Sequence, residues 1–528
     1  MSYQSHPKWL EDAIFYQIYP QSFYDTNSDG IGDLAGVIEK LDYLSWLGVN
    51  AIWLNPCFVS PFQDAGYDVA DYYRVAPRYG TNADLTRLFK QAHRRGIKVC
   101  LDLVPGHTSI EHPWFKASCR HKRNQYTDRY IWTNSTWDGG MPPLKFINGF
   151  AERDGNYAIN FFYSQPALNY GFARPNPYCP WQQPVDAPGP MATRAELKKI
   201  MDFWLKKGAD GFRVDLAASL VKNDPDSKMT IKLWRDVCKW LDQNYPEAAL
   251  ISEWGNPSEA LQAGFDIDFM LHFGVPGYTS LFFKGKNQRC FFDSRGGGTV
   301  CDFLDEYLKH YRKARKGYIS IPSSNHDMPR INNRRTNRDL EVVFAFLMTW
   351  PGVPFIYYGD EIGMRYIRGL PSREGGYART GSRTPMQWDN GKNAGFSLAG
   401  AKQLYLPLDG RKNRPTVLDQ KTRPTSLLNH VRRLIALRKK SPALTAKGKM
   451  EPLFAKPAKY PFIYLRQRGR EKFVVALNPS SEPVSAPIEA QGLNNLNLEM
   501  GRGVKFASKG KRITFLMTGQ SYAVYRAG

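Results

Sequence analysis

A parallel (β/α)8, or TIM, barrel carrying a small domain inserted after its third strand and an all-β domain at its C-terminus is the α/β fold this sequence predicts. Three observations predict it. Short apolar runs alternate with amphipathic stretches over most of the chain, the rhythm breaks at residues 110–192, and after residue 444 the apolar period switches to two. The barrel is expected to take residues 1–109 and 193–444, the inserted domain residues 110–192, and a C-terminal β-sandwich residues 445–528. A chain of 528 residues is long enough for one barrel and both attachments.

Residues 13–20 (AIFYQIYP) form the first buried-strand run. A loop follows, Asp25-Thr-Asn-Ser-Asp-Gly-Ile-Gly-Asp33, with oxygen-bearing side chains at alternate positions and Gly30 for a sharp turn. Asp25, Asn27, Asp29, Asp33 and the carbonyl of Ile31 would suit calcium, or magnesium, which take oxygen ligands; the competing reading is a solvated Asx turn. Residues 34–47 have the spacing of one amphipathic helix ending at Gly48. Residues 51–56 give a second strand. Thr81-Asn-Ala-Asp84 caps the next helix, and residues 97–104 give the third strand.

Residues 110–192, rich in Trp, Tyr, Asn, Gly and Pro, show no helical period, and a structureless loop of that length does not suit a compact domain. The barrel rhythm resumes at Thr193-Arg-Ala-Glu196, which reads as a capping box opening a helix that ends at Gly208. Strands are expected at 211–216, 248–254, 265–273, 317–322 and 354–358, completing eight. Helices are expected at 230–245, 340–350 and 425–440. Residues 462–466, 472–478, 512–517 and 522–526 read as short strands of the terminal domain.

Composition excludes several classes of function. The net charge of +23 raises nucleic-acid binding, but the basic residues are dispersed, with only short clusters such as Arg120-His-Lys-Arg123 and Arg334-Arg335. The 7 cysteines are scattered without a C-x-x-C pair, which speaks against a zinc site or a disulfide framework. The start of the chain carries Lys8, Glu11 and Asp12 and no apolar run, and the apolar region 342–358 is broken by Pro351, Gly352 and Pro354. The expectation is a cytoplasmic monomer or homodimer that binds neither membrane nor nucleic acid. With 13 Trp, 29 Tyr and 30 Phe, aromatic faces for a sugar cleft are plentiful.

Polar residues recur at one place, the C-terminal ends of the expected strands: His107, Asp215, Glu253, and His326 with Asp327. In a barrel those ends converge on one face. Arg213, two residues before Asp215, points the same way on a strand and is expected to keep that carboxylate ionised. One ionised carboxylate and one protonated carboxyl are the minimal equipment for retaining glycoside hydrolysis.

Asp102-Leu-Val-Pro-Gly-His107, Gly211-Phe-Arg-Val-Asp215, Glu253 and Asn325-His-Asp327 resemble, in order and spacing, the signature regions of the α-amylase superfamily, glycoside hydrolase family 13. Gln17-Ile-Tyr-Pro20, Gly66-Tyr-Asp68, Gln165-Pro-Ala-Leu-Asn169 and Arg383-Thr-Pro-Met-Gln-Trp388 are most similar to the oligo-1,6-glucosidase, α-glucosidase and trehalose synthase branch. The resemblance implies double displacement, with Asp215 as nucleophile, Glu253 as acid/base and Asp327 stabilising the transition state. It also implies that His107, Arg213 and His326 hydrogen-bond the sugar or the nucleophile, and that Asp68 pairs with Arg383 around a terminal glucose.

The expected activity is therefore an exo-acting α-glucosidase on short α-glucosidic oligosaccharides or disaccharides, needing no cofactor for catalysis. The alternatives are a transglycosidase or isomerase of the trehalose synthase or sucrose isomerase type, an endo-acting amylase, and a non-catalytic amylase-like interaction protein. Two positions depart from the family pattern, Gly106 where Asn is usual and Ala167 where Asp is usual. As those two are calcium ligands in the family's amylases, no calcium is expected between barrel and insertion. Leu216, following the proposed nucleophile, leaves the linkage open.

Overall fold

The computed structural model describes residues 6–271, 276–283, 289–313, 316–489, 492–493 and 495–528. Eight parallel strands form the central sheet: β1 Phe15–Ile18, β2 Ala51–Leu54, β3 Lys98–Leu103, β4 Gly211–Val214, β5 Ala249–Ser252, β6 Ile267–Phe269, β7 Tyr318–Ser320 and β8 Phe355–Tyr357. Their order is β7-β6-β5-β4-β3-β2-β1-β8. Nearly every strand residue is buried, because helices cover the outside and side chains fill the inside, so both faces are apolar. All eight expected strands are present; the end of the sixth expected run, residues 272–273, lies outside the described residues.

The ring closes between β7 and β8 by a single bridge, Pro322 to Phe355. Proline has no N–H to give a ladder. Hydroxyls take over there: Ser320 Oγ donates to Val353 O at 2.7 Å, and Ser323 Oγ accepts from Tyr357 N at 3.0 Å and donates to Asp360 Oδ2 at 2.7 Å.

The helices follow the expected periods with two corrections. The stretch expected as one helix over 34–47 is two, Leu34–Glu39 and Leu41–Leu47, broken at Lys40. The Lys40 ammonium lies 3.6 Å from the Tyr24 ring centroid. The helix expected to start at Thr193 runs Pro188–Lys206. Pro188 stands at its first position, where a missing N–H costs nothing. Thr193 is buried inside the helix, its hydroxyl donating to Gly189 O at 3.1 Å.

Within residues 110–192 lie a short helix, Pro113–Ser118, and a hairpin, Lys145–Ile147 with Tyr157–Ile159. A separate apolar cluster, Ile131, Ala158, Ala167, Phe172 and Trp181, holds this segment together. It is stitched to the loop after β3 by the His107–Ala167 bridge and by Leu168 N donating to Gly106 O at 3.0 Å.

The C-terminal antiparallel domain comprises β9 Lys449–Lys456, β10 Lys459–Arg468, β11 Glu471–Asn478, β12 Val484–Glu489, β13 Leu496–Lys509 and β14 Arg512–Ala527. These strands hydrogen-bond in the order β9-β10-β11-β14-β12, with β13 also paired to β14, and the first half of β14 pairs with β12 while its second half pairs with β11. Two irregularities in β13 let the long β13–β14 ribbon change direction, and Phe515 and Tyr525 from its two halves share one core. Arg466 of this sheet donates to Thr349 O and to Thr445 O, fastening it to the barrel's end. Among the described residues no helix is long and apolar enough to cross a membrane.

Candidate active site at the C-terminal ends of the strands

β3, β4 and β5 are neighbours in register: Asp102 pairs with Arg213, and Arg213 with Ile251. Asp215 and Glu253 each sit one residue beyond their strands, so both carboxylates emerge beside Arg213. The guanidinium is fully buried and reaches three acids. Nη1 lies 3.0 Å from Asp102 Oδ1 and 2.9 Å from Asp215 Oδ1, and Nη2 lies 2.6 Å from Glu253 Oε2. Asp102 is sealed from solvent, its other oxygen accepting from Trp53 Nε1 and Tyr67 OH, both at 2.9 Å.

Solvent exposure sorts the acids. The Asp102 side chain is 0% exposed, whereas Asp215 keeps 12%, Glu253 9% and Asp327 14%. Those three therefore face the cleft, and Asp102 serves from behind. Leu216, at φ 42°, adopts the left-handed region that a branched side chain avoids. That turn aims its N–H at Glu253 Oε2, 3.3 Å away.

Burial lifts Asp215 and Glu253 to about 7 each, against the opposing pull of Arg213. The expectation that Arg213 singles out Asp215 and keeps it charged is thus corrected: one cation is divided among three carboxylates, and desolvation outweighs it. Asp327 behaves otherwise. Burial would raise it, but His326, Arg383 and Arg379 hold it well below the ordinary carboxylate range. Arg383 Nη2 and Arg379 Nη1 lie 3.0 and 2.8 Å from its Oδ1, and His326 Nε2 lies 3.0 Å from its Oδ2.

The two histidines are more enclosed than the sequence implies. His326 Nδ1 accepts from Gln17 Nε2 at 3.0 Å, which leaves the proton on Nε2, and burial lowers the pKa of the ring. His107 Nε2 donates to Tyr67 O at 3.1 Å, and its Nδ1 lies 2.9 Å from Asn160 Nδ2. Burial drives its pKa down to about 4. In this conformation both nitrogens of His107 have protein partners, whereas the buried Nε2 of His326 has no hydrogen-bond partner among the described residues.

The Asp68–Arg383 pair is corrected. Asp68 is turned into its own loop, accepting from Ser60 Oγ, Gln63 N and Asp64 N at 2.9, 2.8 and 3.0 Å. Arg383 instead holds His326 O and Asp327, and its buried Nη1 has no hydrogen-bond partner among the described residues. The pair facing Asp327 stands four residues away on each loop. Arg379 Nη2 lies 3.5 Å from Asp64 Oδ1, and Gln165 Nε2 donates to Asp64 Oδ2 at 2.8 Å. Asp64 and Arg379 lie in irregular Gly-containing loops without period; the only signal for Asp64 was its place four residues before the expected carboxylate.

In the Asp25 loop the carboxylates bind amides. Asp25 accepts from Asn27 N, Ser28 N and Gly30 N, and Asp33 from Thr26 N and Gly36 N. Asn27 and Asp29 face one another, with Nδ2 3.1 Å from Oδ2. Among the described residues no group of three or more His, Cys, Asp or Glu converges as a metal centre.

Comparisons with known proteins agree with this geometry. Residues 17–447 match the family model described as alpha amylase, catalytic domain. The trehalose synthase/amylase TreS of Mycobacterium tuberculosis (strain ATCC 25618 / H37Rv) is 29% identical, covering 98% of this chain and 90% of its own. The oligo-1,6-glucosidase of Heyndrickxia coagulans is 31% identical, covering 90% and 93%. Among solved structures, a trehalulose synthase variant bound to Tris superposes with a TM-score of 0.81 at 25% identity, covering 98% of this chain and 100% of that one. An isomaltulose synthase variant from Erwinia rhapontici NX5 in complex with sucrose gives 0.80 at 26%, covering 99% and 100%. The strand-end acids, the barrel beneath them and the length of the match lead to one conclusion: the chain is a catalytic member of the alpha-amylase family, acting on α-glucosides.

Proposed function

We propose that the protein transfers a single terminal α-glucosyl unit by double displacement, handing it to a sugar hydroxyl in the manner of a disaccharide isomerase or transglycosidase. The observation that carries the single-unit reading is the group Asp64–Arg379–Asp327–Arg383, joined by charge-assisted contacts, which we read as closing one end of the cleft. Asp215 attacks the anomeric carbon, Glu253 protonates the departing oxygen and then deprotonates the acceptor, and ionised Asp327 stabilises the oxocarbenium-like transition state. The similarity to trehalose, trehalulose and isomaltulose synthases favours a sugar as acceptor. Transfer to water, simple α-glucosidase action, is the second reading, favoured by the similarity to the oligo-1,6-glucosidase.

Products decide between the two. Maltose, isomaltose, sucrose and trehalose incubated with the protein should yield isomeric disaccharides in excess over free glucose. Glucose as the dominant product from every substrate selects hydrolysis instead. Asp215→Asn and Glu253→Gln should each lower turnover by roughly four orders of magnitude with unchanged thermal unfolding; near-normal activity in either would sink the double-displacement reading.

The Asp215–Glu253 pair must hold one proton, so activity falls on the acid side as the second proton binds and on the alkaline side as the last one leaves. With Asp102 and Arg213 behind the pair and Asp327 ionised throughout, kcat/KM should be bell-shaped with its maximum near neutrality. A profile flat over roughly pH 5 to 9 contradicts this.

Asp64→Asn should lower kcat/KM by about 30- to 100-fold, the loss of a charge-assisted contact, with little change in stability. Asp68→Asn should do the reverse, lowering the thermal midpoint and sparing kcat/KM. Interchanged outcomes would return the gripping role to Asp68.

A structural calcium or magnesium ion is proposed for the Asp25 loop, supported by oxygen-bearing residues at alternate positions and by Gly30 at φ 91°. Asp25, Asn27, Asp29, Asp33 and the carbonyl of Ile31 would hold it, and it would brace the loop without entering the chemistry. Metal analysis after calcium saturation should find about one ion per chain; none found refutes the site.

A further inference from the structure

Gly106 and Ala167, the two departures from the family pattern, are neighbours in space. Ala167 bridges to His107, and Leu168 N bonds Gly106 O. Both polar side chains are lost at one junction, between the loop after β3 and the inserted segment. The space is not left empty. A Cβ placed on Gly106 would lie 2.9 Å from Asn160 Nδ2, and Leu220 Cδ2 is the next atom at 3.8 Å. The same Asn160 Nδ2 lies 2.9 Å from His107 Nδ1.

The hydrogen bonds define what Asn160 does there. Tyr67 O can only accept, so the proton sits on His107 Nε2, and Nδ1 presents a lone pair that needs a donor. Asn160 supplies it. The asparagine is itself anchored: its N–H donates to Gln165 O at 3.1 Å, at the start of a turn closed by the Ile159–Pro166 bridge. Gln165, at the other end of that turn, donates to Asp64. One turn of the inserted segment thus delivers a donor to His107 and another to Asp64.

We infer that Asn160 is a positioning residue for the glucosyl site, occupying from the inserted segment the space that a side chain at position 106 would fill and fixing His107 in its Nε2–H tautomer. The inference rests on the reading of this cleft as a glucosyl site, but its decisive readout does not. In protein labelled with 15N-histidine, His107 should show one protonated nitrogen, Nε2, and one unprotonated, Nδ1. Asn160→Leu fills the space without donating; it should give a mixture of tautomers and lower kcat/KM on p-nitrophenyl α-D-glucoside by about tenfold to hundredfold.

Gly106 lies outside the left-handed region, so an asparagine side chain fits there once Asn160 yields. Gly106→Asn/Asn160→Ala should recover both the tautomer and most of the activity lost by Asn160→Ala, while Gly106→Asn alone, with two side chains in one space, should impair the enzyme. Wild-type kcat, KM and His107 nitrogen shifts in Asn160→Leu would overturn the positioning role. A double variant no better than Asn160→Ala would overturn the shared space. If Asn160→Leu loses its thermal unfolding transition, the Ala and double variants decide alone. If the wild-type protein turns over no α-glucoside, the nitrogen shifts still decide the tautomer.

Discussion

The guanidinium of Arg213 is the interaction on which the catalytic face depends. One buried cation lies within 3.0 Å of an oxygen from each of Asp102, Asp215 and Glu253, which belong to three adjacent strands. Three carboxylates this close could not share a dry site without a cation between them, and one cation cannot neutralise all three. Burial, together with this imbalance, raises the proton affinity of Asp215 and Glu253, as the proposed division into nucleophile and acid requires. Asp102, screened by Trp53 and Tyr67, takes up part of the positive charge, so the two cleft-facing acids are held less tightly than a simple ion pair would hold them.

The rest of the site comes from loops that the barrel merely carries. Asp327 draws its stabilisation from Arg379 and Arg383, and Asp64 from Arg379 and Gln165, so segments near residues 64, 165 and 380 meet over the strand ends. The Phe162 and Tyr377 rings stack with centroids 6.0 Å apart, joining the inserted segment to the Arg379 loop above the charged residues. In the proposed function, chemistry is set by rigid strands, and the choice of sugar by the loops laid across them.

This division explains what could be read from the sequence. The barrel strands were legible because each is buried on both faces and stands out as an apolar run between turns. Their terminal acids were legible because a carboxylate ending such a run is conspicuous. Asp64 and Arg379 were not, since irregular loops have no period and which of two nearby carboxylates turns inward depends on a fold of the backbone: Asp68 was captured by the amides of Gln63 and Asp64. Thr193 misled because its capping pattern is real as spelling, yet Pro188 had already begun the helix a turn and a half earlier. Burial energies were illegible altogether, and they decide the charge state of Asp215.

The seam between β7 and β8 reaches beyond the barrel wall. It is held by one bridge and by serine hydroxyls, and the residues just past it are Asn325, His326 and Asp327. The other nitrogen of His326 is approached by Gln17 of β1, across the neighbouring strand β8, and by Asn55 just beyond β2. The join that completes the barrel wall is thus also the place from which Asp327 is delivered to the strand-end face.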